Sequence, residues 1–385
     1  MDIKKEPIEY AKLMCDTIMN MYEPQDLPPK GAFFYHQGVF LSGMQQVYKY
    51  TEDKKYFDYI KGYIDSVINE NGEIAGYEME NVSVGDSWHI VSALALLDSK
   101  QPVILLYDLY EETKDIRYKK VIETIAKSMH YWPWNSHGGY WHMMLQPNQM
   151  WLDGAYMVGP LSCMYDKYYG DELLRERAIK QVFLMNEFMK DEKSGLYYHG
   201  WDASKEEKWS DKETGLSPEI WGRAVGWYAV AILDILEFIP KNHPDVEKLK
   251  KIEIDLLKAL ARYRDSERGL WYEVLDKPGE KGNWIETSCS CLFVYAYAKA
   301  INMGIVDKDE FSEVLEKAYF ELISSLGERG KDIVLSNVCI GTCIEEGTYE
   351  YYVKRPVTKN DLHGSGAFVL MCSEVQRYFD TKKCC

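Results

Sequence analysis

Apolar and polar positions along this chain repeat with the period of an α-helix. Residues 118–126 alternate apolar positions with charged ones, whereas residues 227–233 are entirely apolar or aromatic. A helix with one apolar face covers a neighbouring element, and a helix that is apolar on all sides is buried. The succession of these two kinds of segment therefore predicts outer helices packed over inner ones.

Two sequence markers recur in step along the chain. An aspartate lies at the polar junction between apolar stretches at Asp53, Asp115, Asp171, Asp245 and Asp307, with spacings of 62, 56, 74 and 62 residues. About 24 residues later comes a glycine that introduces an aromatic segment, at Gly76, Gly139, Gly195 and Gly269, with a degenerate member at Gly330. Because the two series keep step while the spacing varies, they indicate a repeated supersecondary unit of about 60 residues.

The more apolar helical segments predict six inner helices. They are expected to begin near Phe33, Ala93, Met150, Trp221, Ser288 and Gly366. Six helical hairpins that close on themselves give an all-α fold, an (α/α)6 barrel, which we expect to form a single domain over residues 1–385. The alternative is an open solenoid of helix pairs, which favours a regular period and polar caps at both ends. The aromatic-rich first and last units favour the closed ring.

The charge composition excludes several classes of partner. The chain has 45 lysines and arginines against 61 aspartates and glutamates, a net charge of −16. Without a basic stripe to neutralise phosphates, we expect no nucleic-acid partner and no anionic membrane surface. No run of about 18 apolar residues predicts a membrane span, and the first residues lack the apolar core of a signal peptide. A cytoplasmic protein, a monomer or small homo-oligomer, is expected.

The cysteine pattern and the short motifs argue against a metal or an organic cofactor. The nine cysteines are scattered and lack the paired spacing of a zinc site, so reduced thiols are expected. No glycine-rich phosphate loop follows a strand, and no His-Glu-x-x-His segment occurs. We therefore expect a reaction that needs neither a metal nor a cofactor.

One carboxylate stands out by its surroundings. Asp153 lies between Trp151 and Tyr156 in the segment 149–160, which is otherwise mostly apolar or glycine. A carboxyl group that loses hydration in such surroundings has a raised pKa and can donate a proton near neutral pH. The alternative is a buried aspartate that caps a helix. Aromatic faces beside a proton donor are typical of a sugar-processing cleft.

The Gly-aromatic markers lie in the connections that lead into inner helices, so one mouth of the barrel should gather the chemically useful side chains. Loops held by rigid helices are a normal place for a binding site. The residues expected to converge there are His142, Asp153, His199, Trp201, Trp221, Arg223 and Trp227.

Several motifs in this order resemble the unsaturated rhamnogalacturonyl hydrolases of glycoside hydrolase family 105, which are related to the unsaturated glucuronyl hydrolases of family 88. The resemblance covers nearly the whole chain. It rests on Leu97-Asp98, Gln149-Met150-Trp151-Leu152-Asp153-Gly154, Tyr198-His199-Gly200-Trp201-Asp202, Trp221-Gly222-Arg223-Ala224-Val225-Gly226-Trp227, Thr287-Ser288-Cys289-Ser290 and Asn360-Asp361-Leu362-His363-Gly364-Ser365-Gly366-Ala367-Phe368. The family's fold is the six-hairpin barrel that the repeat predicts.

The resemblance implies an unusual hydrolysis. Polysaccharide lyases leave a 4,5-unsaturated uronic acid at the non-reducing end of their products, and the family removes it by hydrating the vinyl ether. In this reading Asp153 is the acid/base and Asp98 is the second acidic residue. Protonation of carbon needs a neutral carboxyl group, so the pKa of Asp153 should lie above the ordinary value of about 3.9. A nearby Asp98 raises it further, whereas a helix N-terminus lowers it.

The substrate's uronate needs a cation, and Arg223 is the best candidate because its planar fork can hold a carboxylate with two hydrogen bonds. Its alternative is a structural ion pair. The other predicted substrate-binding residues are His142, His199, Trp221, Trp227 and Tyr35, with His36 beside the last. One tryptophan is expected to stack on a sugar ring and the other to pack in the barrel.

Two departures from the family pattern put the second sugar in question. Met143 stands where relatives carry a basic residue, and residues 99–102 differ from the usual sequence after the second acidic residue. A glucuronyl hydrolase acting on glycosaminoglycan or other acidic polysaccharide fragments is therefore the main alternative. Two further alternatives are a sugar epimerase that uses a pair of histidines and a carbohydrate-binding scaffold without activity.

Overall fold

The computed structural model describes residues 5–74 and 95–384. Within them lie thirteen α-helices, and from α2 to α11 inner and outer helices follow one another as the sequence pattern predicts. They are α1 (Pro7–Met21), α2 (Tyr35–Thr51), α3 (Lys54–Val67), α4 (Ile104–Thr113), α5 (Ile116–His130), α6 (Gly154–Tyr169), α7 (Glu172–Phe188), α8 (Gly222–Phe238), α9 (Val246–Arg262), α10 (Thr287–Asn302), α11 (Lys308–Ser324), α12 (Tyr349–Val353) and α13 (Leu362–Cys384).

Six of these helices form a closed inner ring. Helix α2 packs on α4, α4 on α6, α6 on α8, and α8 on α10. Helix α10 packs on α13, and α13 packs on α2, which closes the ring. The outer helices α3, α5, α7, α9 and α11 each contact the inner helix that precedes them, and α1 contacts α13 and α2. The predicted all-α barrel of six hairpins is confirmed, and the open solenoid is excluded.

Side-chain patterning separates the two layers. In α8 every residue from Gly222 to Ile235 is buried, as an inner helix requires. In α9 the buried positions include Leu249, Ile252, Leu256 and Leu260, one face of the helix, and charged residues occupy the other. At the closure of the ring, a Cβ atom on Gly366 would lie 2.6 Å from Val39, so only glycine allows α13 to approach α2 this closely.

The repeated aspartates are the N-caps of the outer helices. Each of the five precedes α3, α5, α7, α9 or α11 directly, and the side chains of Asp53, Asp115, Asp171 and Asp307 accept a backbone N–H of the first turn. A side-chain oxygen at this position satisfies a donor that the helix cannot. The aspartate series in the sequence therefore marks where each outer helix begins.

The glycine series marks the turns that leave the outer helices. Gly195, Gly269 and Gly330 have positive φ angles, a conformation that favours glycine, and next to Gly139 it is Gly138 that adopts it. Gly76 lies outside the described residues. These turns lead into short extended segments at one end of the barrel, where β1 (Gln149–Trp151) pairs with β2 (Gly200–Asp202) in antiparallel register.

The remaining strands are short antiparallel pairs near the C-terminal part of the ring. Strand β3 (Gly327–Arg329) pairs with β4 (Asp332–Val334), and β5 (Val338–Cys339) pairs with β6 (Val357–Thr358). Strand β5 leads directly into residues that line the site described below. Among the described residues, no helix has the length and apolar character needed to cross a bilayer.

The second inner helix begins later than the sequence predicts. Helix α4 starts at Ile104, after the two 3₁₀ turns Leu97–Ser99 and Gln101–Val103, and Ala93 lies outside the described residues. Pro102 lacks a backbone N–H and fits only the first turn of a helix, which explains why the regular helix begins after it. The other five inner helices begin within about four residues of the predicted positions.

Glu253 on α9 is a carboxyl group buried in the protein interior. It is fully buried, and neither carboxyl oxygen has a hydrogen-bond partner. Burial raises its pKa well above the ordinary value, so the folded protein holds a proton that the unfolded chain releases near pH 4.3. Because the folded state binds the extra proton, this group's contribution to stability is complete below that pH and is lost as pH rises towards the folded pKa.

We therefore expect Glu253→Gln to remove this pH dependence. Relative to the variant, the wild-type free energy of unfolding should fall by about 1.4 kcal/mol per pH unit above pH 5, as measured by chemical denaturation. Glu247→Gln, an exposed change on the same helix, is the matched control and should leave the pH profile as in the wild type. Parallel profiles for wild type and Glu253→Gln would show that this carboxyl is charged in the folded state.

Candidate active site

A recess opens at the end of the barrel where the inner helices begin. The described residues that line it are Phe34, Tyr35, His36, Asp98, Trp151, Asp153, Trp221, Arg223, Trp227, Gly341 and Thr342. Its empty space, including the part open to solvent, measures about 390 Å³. Most of these residues lie at or just before the N-terminus of an inner helix, so the ring itself gathers them.

Asp153 occupies the N-cap position of α6 without acting as a cap. Its side chain makes no capping hydrogen bond, so the alternative of a helix-capping aspartate is not realised. The carboxyl is 13% exposed, and its Oδ1 atom lies 3.5 Å from Nε2 of His199. Neither of these two atoms has a hydrogen-bond partner. The carboxyl group is thus buried beside an imidazole and remains available to a molecule in the recess.

Asp98 forms a second carboxyl–imidazole pair beside the first. It lies in the 3₁₀ turn before α4, and its Oδ1 atom is 3.3 Å from Nε2 of His142. The ring of His142 stacks on Trp151, with centroids 4.4 Å apart and planes 12° from parallel. This stacking fixes the imidazole between Asp98 and the helix that begins after Asp153, where Gly154 leaves room for the ring.

The two pairs set the charge of the site. Burial raises the pKa of Asp153, but the nearby His199 and His142 outweigh burial and leave this pKa below its ordinary value. Burial lowers the pKa of His142, yet Asp98 raises it further and leaves it above its ordinary value. In the free protein Asp153 is therefore ionised, and the predicted raised pKa is wrong for this state, because two imidazoles contribute more than desolvation.

His199 is held in one orientation by a phenol. Its Nδ1 atom lies 2.7 Å from the hydroxyl of Tyr352 on α12, and its Nε2 atom faces Asp153. Burial lowers the pKa of His199 more than Asp153 raises it, so the ring is neutral at pH 7. If Tyr352 donates to Nδ1, the single ring proton of His199 lies on Nε2, directed at the carboxyl group of Asp153.

Arg223 is buried at the wall of the recess and is already engaged with the backbone. Its Nη1 atom donates to the carbonyl oxygen of Cys339 at 2.5 Å, and its Nη2 atom donates to that of Ile340 at 2.6 Å. The guanidinium also lies 4.6 Å from the ring of Trp221. Arg223 therefore holds the segment that carries Gly341 and Thr342 into the recess, and it has further N–H groups for a ligand.

A buried glutamate lies behind the wall that Trp221 forms. The indole Nε1 of Trp221 donates to Glu273 Oε1 at 2.9 Å. Burial, together with the charge of Glu286, raises the pKa of Glu273 to about 8. Glu273 is therefore protonated at pH 7, and it orients Trp221 without adding a negative charge beside the recess.

Trp227 forms the floor of the recess. Its ring stacks on Tyr156, with centroids 4.5 Å apart, and Tyr156 in turn lines a larger cavity, whose empty space on the same measure is about 1070 Å³. In that second cavity the charged groups are largely paired within the protein; Lys299, for example, bonds both Asp234 and Glu237. At the recess, by contrast, Asp98, Asp153, His142 and His199 bring unpartnered carboxyl and imidazole atoms together within one cluster, so the recess is the candidate active site.

Three of these side chains could also hold a metal ion. Asp98, His142 and Asp153 each present one ligand atom within 4.8 Å of the others. The same atoms are the ones a proton-transfer site needs, and a buried imidazole between two carboxyl groups serves that role without a metal. The expectation that the reaction needs no metal stays a prediction.

The structure brings the predicted residues together, although not all in the same role. Asp98, Asp153, Trp221, Arg223, Trp227 and Tyr35 line the recess. His142 and His199 are buried behind the carboxyl groups and are not among the lining residues, although they were predicted to bind substrate. Trp201 packs on Phe188, away from the recess. Met143, the departure from the family pattern, is buried and bridges to Leu96.

Some lining residues carried no usable sequence signal. Gly341 and Thr342 follow β5 near the end of the chain, where Arg223 binds the two preceding carbonyl groups and Arg355 bonds both residues. Trp151 was identified only as an apolar neighbour of Asp153, whereas His36 was expected, with Tyr35, to reach the cleft, and both line the recess. Asp361 and His363 belong to a motif of the resemblance, which by itself did not indicate what they contact.

A six-hairpin ring with paired carboxyl groups in an aromatic recess defines an α/α-barrel glycoside hydrolase. The sequence model of Glycosyl Hydrolase Family 88 matches residues 10–379. The solved structure of a family 105 glycoside hydrolase from C. acetobutylicum ATCC 824 superposes with a TM-score of 0.87 at 33% identity, covering 96% of this chain and 99% of that one. This chain belongs to the family 88 and family 105 glycoside hydrolases.

Two characterised relatives match over most of the chain. The unsaturated rhamnogalacturonyl hydrolase YesR of Bacillus subtilis (strain 168) is 24% identical over 91% of this chain and 91% of its own length. An unsaturated 3S-rhamnoglycuronyl hydrolase of Alteromonas sp. (strain LOR) is 23% identical over 90% of this chain and 78% of its own length. Both relatives are named as hydrolases of an unsaturated sugar unit.

Proposed function

We propose that this hydrolase removes a 4,5-unsaturated uronic acid from the non-reducing end of rhamnogalacturonan-type oligosaccharides produced by polysaccharide lyases. The observation that carries the proposal is the carboxyl group of Asp153, which is buried in an aromatic recess 3.5 Å from His199 and lies beside the Asp98–His142 pair. The names of the two relatives support the substrate class.

The proposed reaction is hydration of the vinyl ether. Asp153 donates a proton to C4 of the unsaturated ring, and a water molecule adds its oxygen to C5. The water's proton passes to the Asp153 carboxylate, which restores the acid. The resulting hemiketal at C5 opens the ring, and the hemiacetal left at C1 releases the neighbouring sugar as an alcohol. Since one carboxyl group both gives and takes the proton, the carboxyl separation rule of ordinary glycosidases does not apply.

Substrate binding supplies the protonated state that the free protein lacks. The unsaturated uronate brings a negative charge into the recess, and a like charge beside a carboxylate raises its pKa. His142, whose pKa is raised by Asp98, is a nearby proton source. The proton that Asp153 needs can therefore come from the imidazole when the anionic sugar binds.

Arg223 and the aromatic walls fit the ring to be hydrated. The guanidinium lies in the wall with N–H groups to spare after its two backbone bonds, so it can bind the uronate carboxylate. Trp221 and Trp151 offer the apolar faces that a planar unsaturated ring needs. When Arg223 binds the carboxylate of the uronate, this contact determines where the C4=C5 double bond lies relative to Asp153.

We test the proposal with a panel of lyase-generated disaccharides. The wild-type enzyme should hydrate the unsaturated rhamnogalacturonan disaccharide, which is measured as loss of its ultraviolet absorbance. In deuterium oxide, the product should carry deuterium on one face of C4, because an enzyme-held acid delivers it from one side. Free tautomerisation would label both faces. Preference for a glycosaminoglycan disaccharide would favour the glucuronyl hydrolase alternative, and binding without loss of absorbance would favour the non-catalytic scaffold.

A further inference from the structure

Tyr35 and a pair of residues far from it in sequence, Asp361 and His363, form a hydrogen-bonded chain that ends at the recess. Tyr35 is the first residue of α2, and its hydroxyl lies 2.5 Å from Nε2 of His363, near the start of α13. Nδ1 of His363 is hydrogen-bonded to Oδ1 of Asp361, which also accepts the backbone N–H of His363 at 3.0 Å. Both tyrosine and imidazole are buried.

The direction of each hydrogen bond in this chain follows from the charges. Burial raises the pKa of Asp361, but His363 and His36 outweigh it and hold this pKa well below its usual range, so Asp361 is a carboxylate. Burial, aided by Arg223, lowers the pKa of His363 despite Asp361, so the ring is neutral. A carboxylate can only accept, and the single ring proton of His363 therefore lies on Nδ1.

The phenol must then donate. Nε2 of His363 has a lone pair and no hydrogen, so the hydroxyl proton of Tyr35 points at the imidazole. Burial raises the pKa of Tyr35 well above its ordinary value, so the group stays a phenol. What Tyr35 offers the recess is its oxygen lone pair, a hydrogen-bond acceptor in the wall that also holds Asp153.

We propose that Asp361 and His363 are positioning residues that make the Tyr35 hydroxyl an acceptor for the attacking water. The inference rests on the proposed function, since hydration needs a water with a fixed orientation. Of the water's two hydrogens, one goes to the Asp153 carboxylate and the other is held by the Tyr35 oxygen. The water's oxygen lone pair then faces C5.

Asp361→Asn is the sharpest test, because an amide can donate to Nδ1 of His363. The ring proton then moves to Nε2 and donates to Tyr35, whose own proton turns into the recess. The side chain keeps its size, but its oxygen must turn away from Nδ1, so the backbone N–H of His363 also loses its acceptor. Imidazole ¹⁵N NMR should report a proton on Nδ1 of His363 in the wild type and on Nε2 in Asp361→Asn.

The kinetic arm uses a double-mutant cycle with Tyr35→Phe. We expect Asp361→Asn and Tyr35→Phe each to lower kcat by about 10- to 100-fold with KM changed less than about threefold. In the Tyr35→Phe background, Asp361→Asn should cost nothing further, because no hydroxyl remains to orient. Glu176→Gln, which breaks a His–carboxylate pair with His243 outside the recess, is the control and should leave kcat unchanged.

Failure of this inference can be told apart from failure of the proposed function. A ring proton on Nε2 of His363 in the wild type, or additive losses in the double mutant, would overturn the positioning role even in an active enzyme. A wild-type enzyme that leaves every unsaturated disaccharide intact would overturn the proposed function. The tautomer measurement needs no substrate and would still decide how Tyr35 is oriented.

Discussion

Asp153→Asn should abolish the loss of substrate absorbance, with kcat at least about 10³-fold below that of the wild type. The amide keeps the size and the burial of the carboxyl group but can neither donate a proton to C4 nor accept one from water. Stopped or continuous ultraviolet assays with the preferred disaccharide measure the effect. Binding of the substrate should persist, because Arg223 and the aromatic walls are intact in the variant.

Asp166→Asn is the matched control for this variant. Asp166 lies on the same helix α6 near its other end, where it bonds Arg175. Its loss is expected to change stability modestly and to leave turnover as in the wild type. Substantial turnover in Asp153→Asn would remove the proton donor from the proposed reaction, and it would favour an epimerase-like use of His142 and His199.

Arg223→Ala should both destabilise the protein and weaken substrate binding. Its removal leaves the carbonyl oxygen of Cys339 without the guanidinium donor and leaves that of Ile340 with the hydroxyl of Thr342. We expect the free energy of unfolding to fall by about 1–3 kcal/mol for each buried carbonyl group that loses its bond to the guanidinium. KM should rise, since the uronate loses its cation and the segment with Gly341 and Thr342 loses its anchor.

Arg268→Ala provides the comparison, because Arg268 makes a part-exposed ion pair with Glu321 on the outside of the barrel. That change should cost no more than about 1 kcal/mol and leave KM unaltered. Denaturant titrations and initial-rate measurements on both variants separate the two roles of Arg223. An Arg223→Ala enzyme of normal stability with an unchanged KM would exclude both the anchoring and the uronate-binding role.

Much of the fold was predictable because its signals are local. The aspartates at the starts of the outer helices accept backbone N–H groups only two or three residues away. Asp53, Asp115 and Asp307 therefore mark the starts of those helices in the sequence itself. The contrast between amphipathic α9 and fully buried α8 is also local. The start of helix α4 was predicted too early, because Pro102 delays the regular helix and the apolar periodicity does not show this effect.

The candidate site was predictable as a set of residues and less so as a mechanism. Asp98 and Asp153 were identified from motifs, but their pairing with His142 and His199 depends on how α6 and the connecting strands pack. The partners of Arg223 lie 116 and 117 residues away in the chain. Nothing near Arg223 in the sequence indicates that its guanidinium donates hydrogen bonds to two backbone carbonyl groups.

The sequence alone determined the succession of outer and inner helices and favoured the closed ring, and it named the two carboxyl groups that the structure places at the recess. Only the tertiary structure decided their protonation and the direction of the hydrogen bond that Tyr35 makes to His363, 328 residues away. The reason is the range of the forces involved. Periodicity and capping act within a few residues, whereas a pKa and a hydrogen-bond direction depend on whichever groups the closed ring brings within a few ångströms.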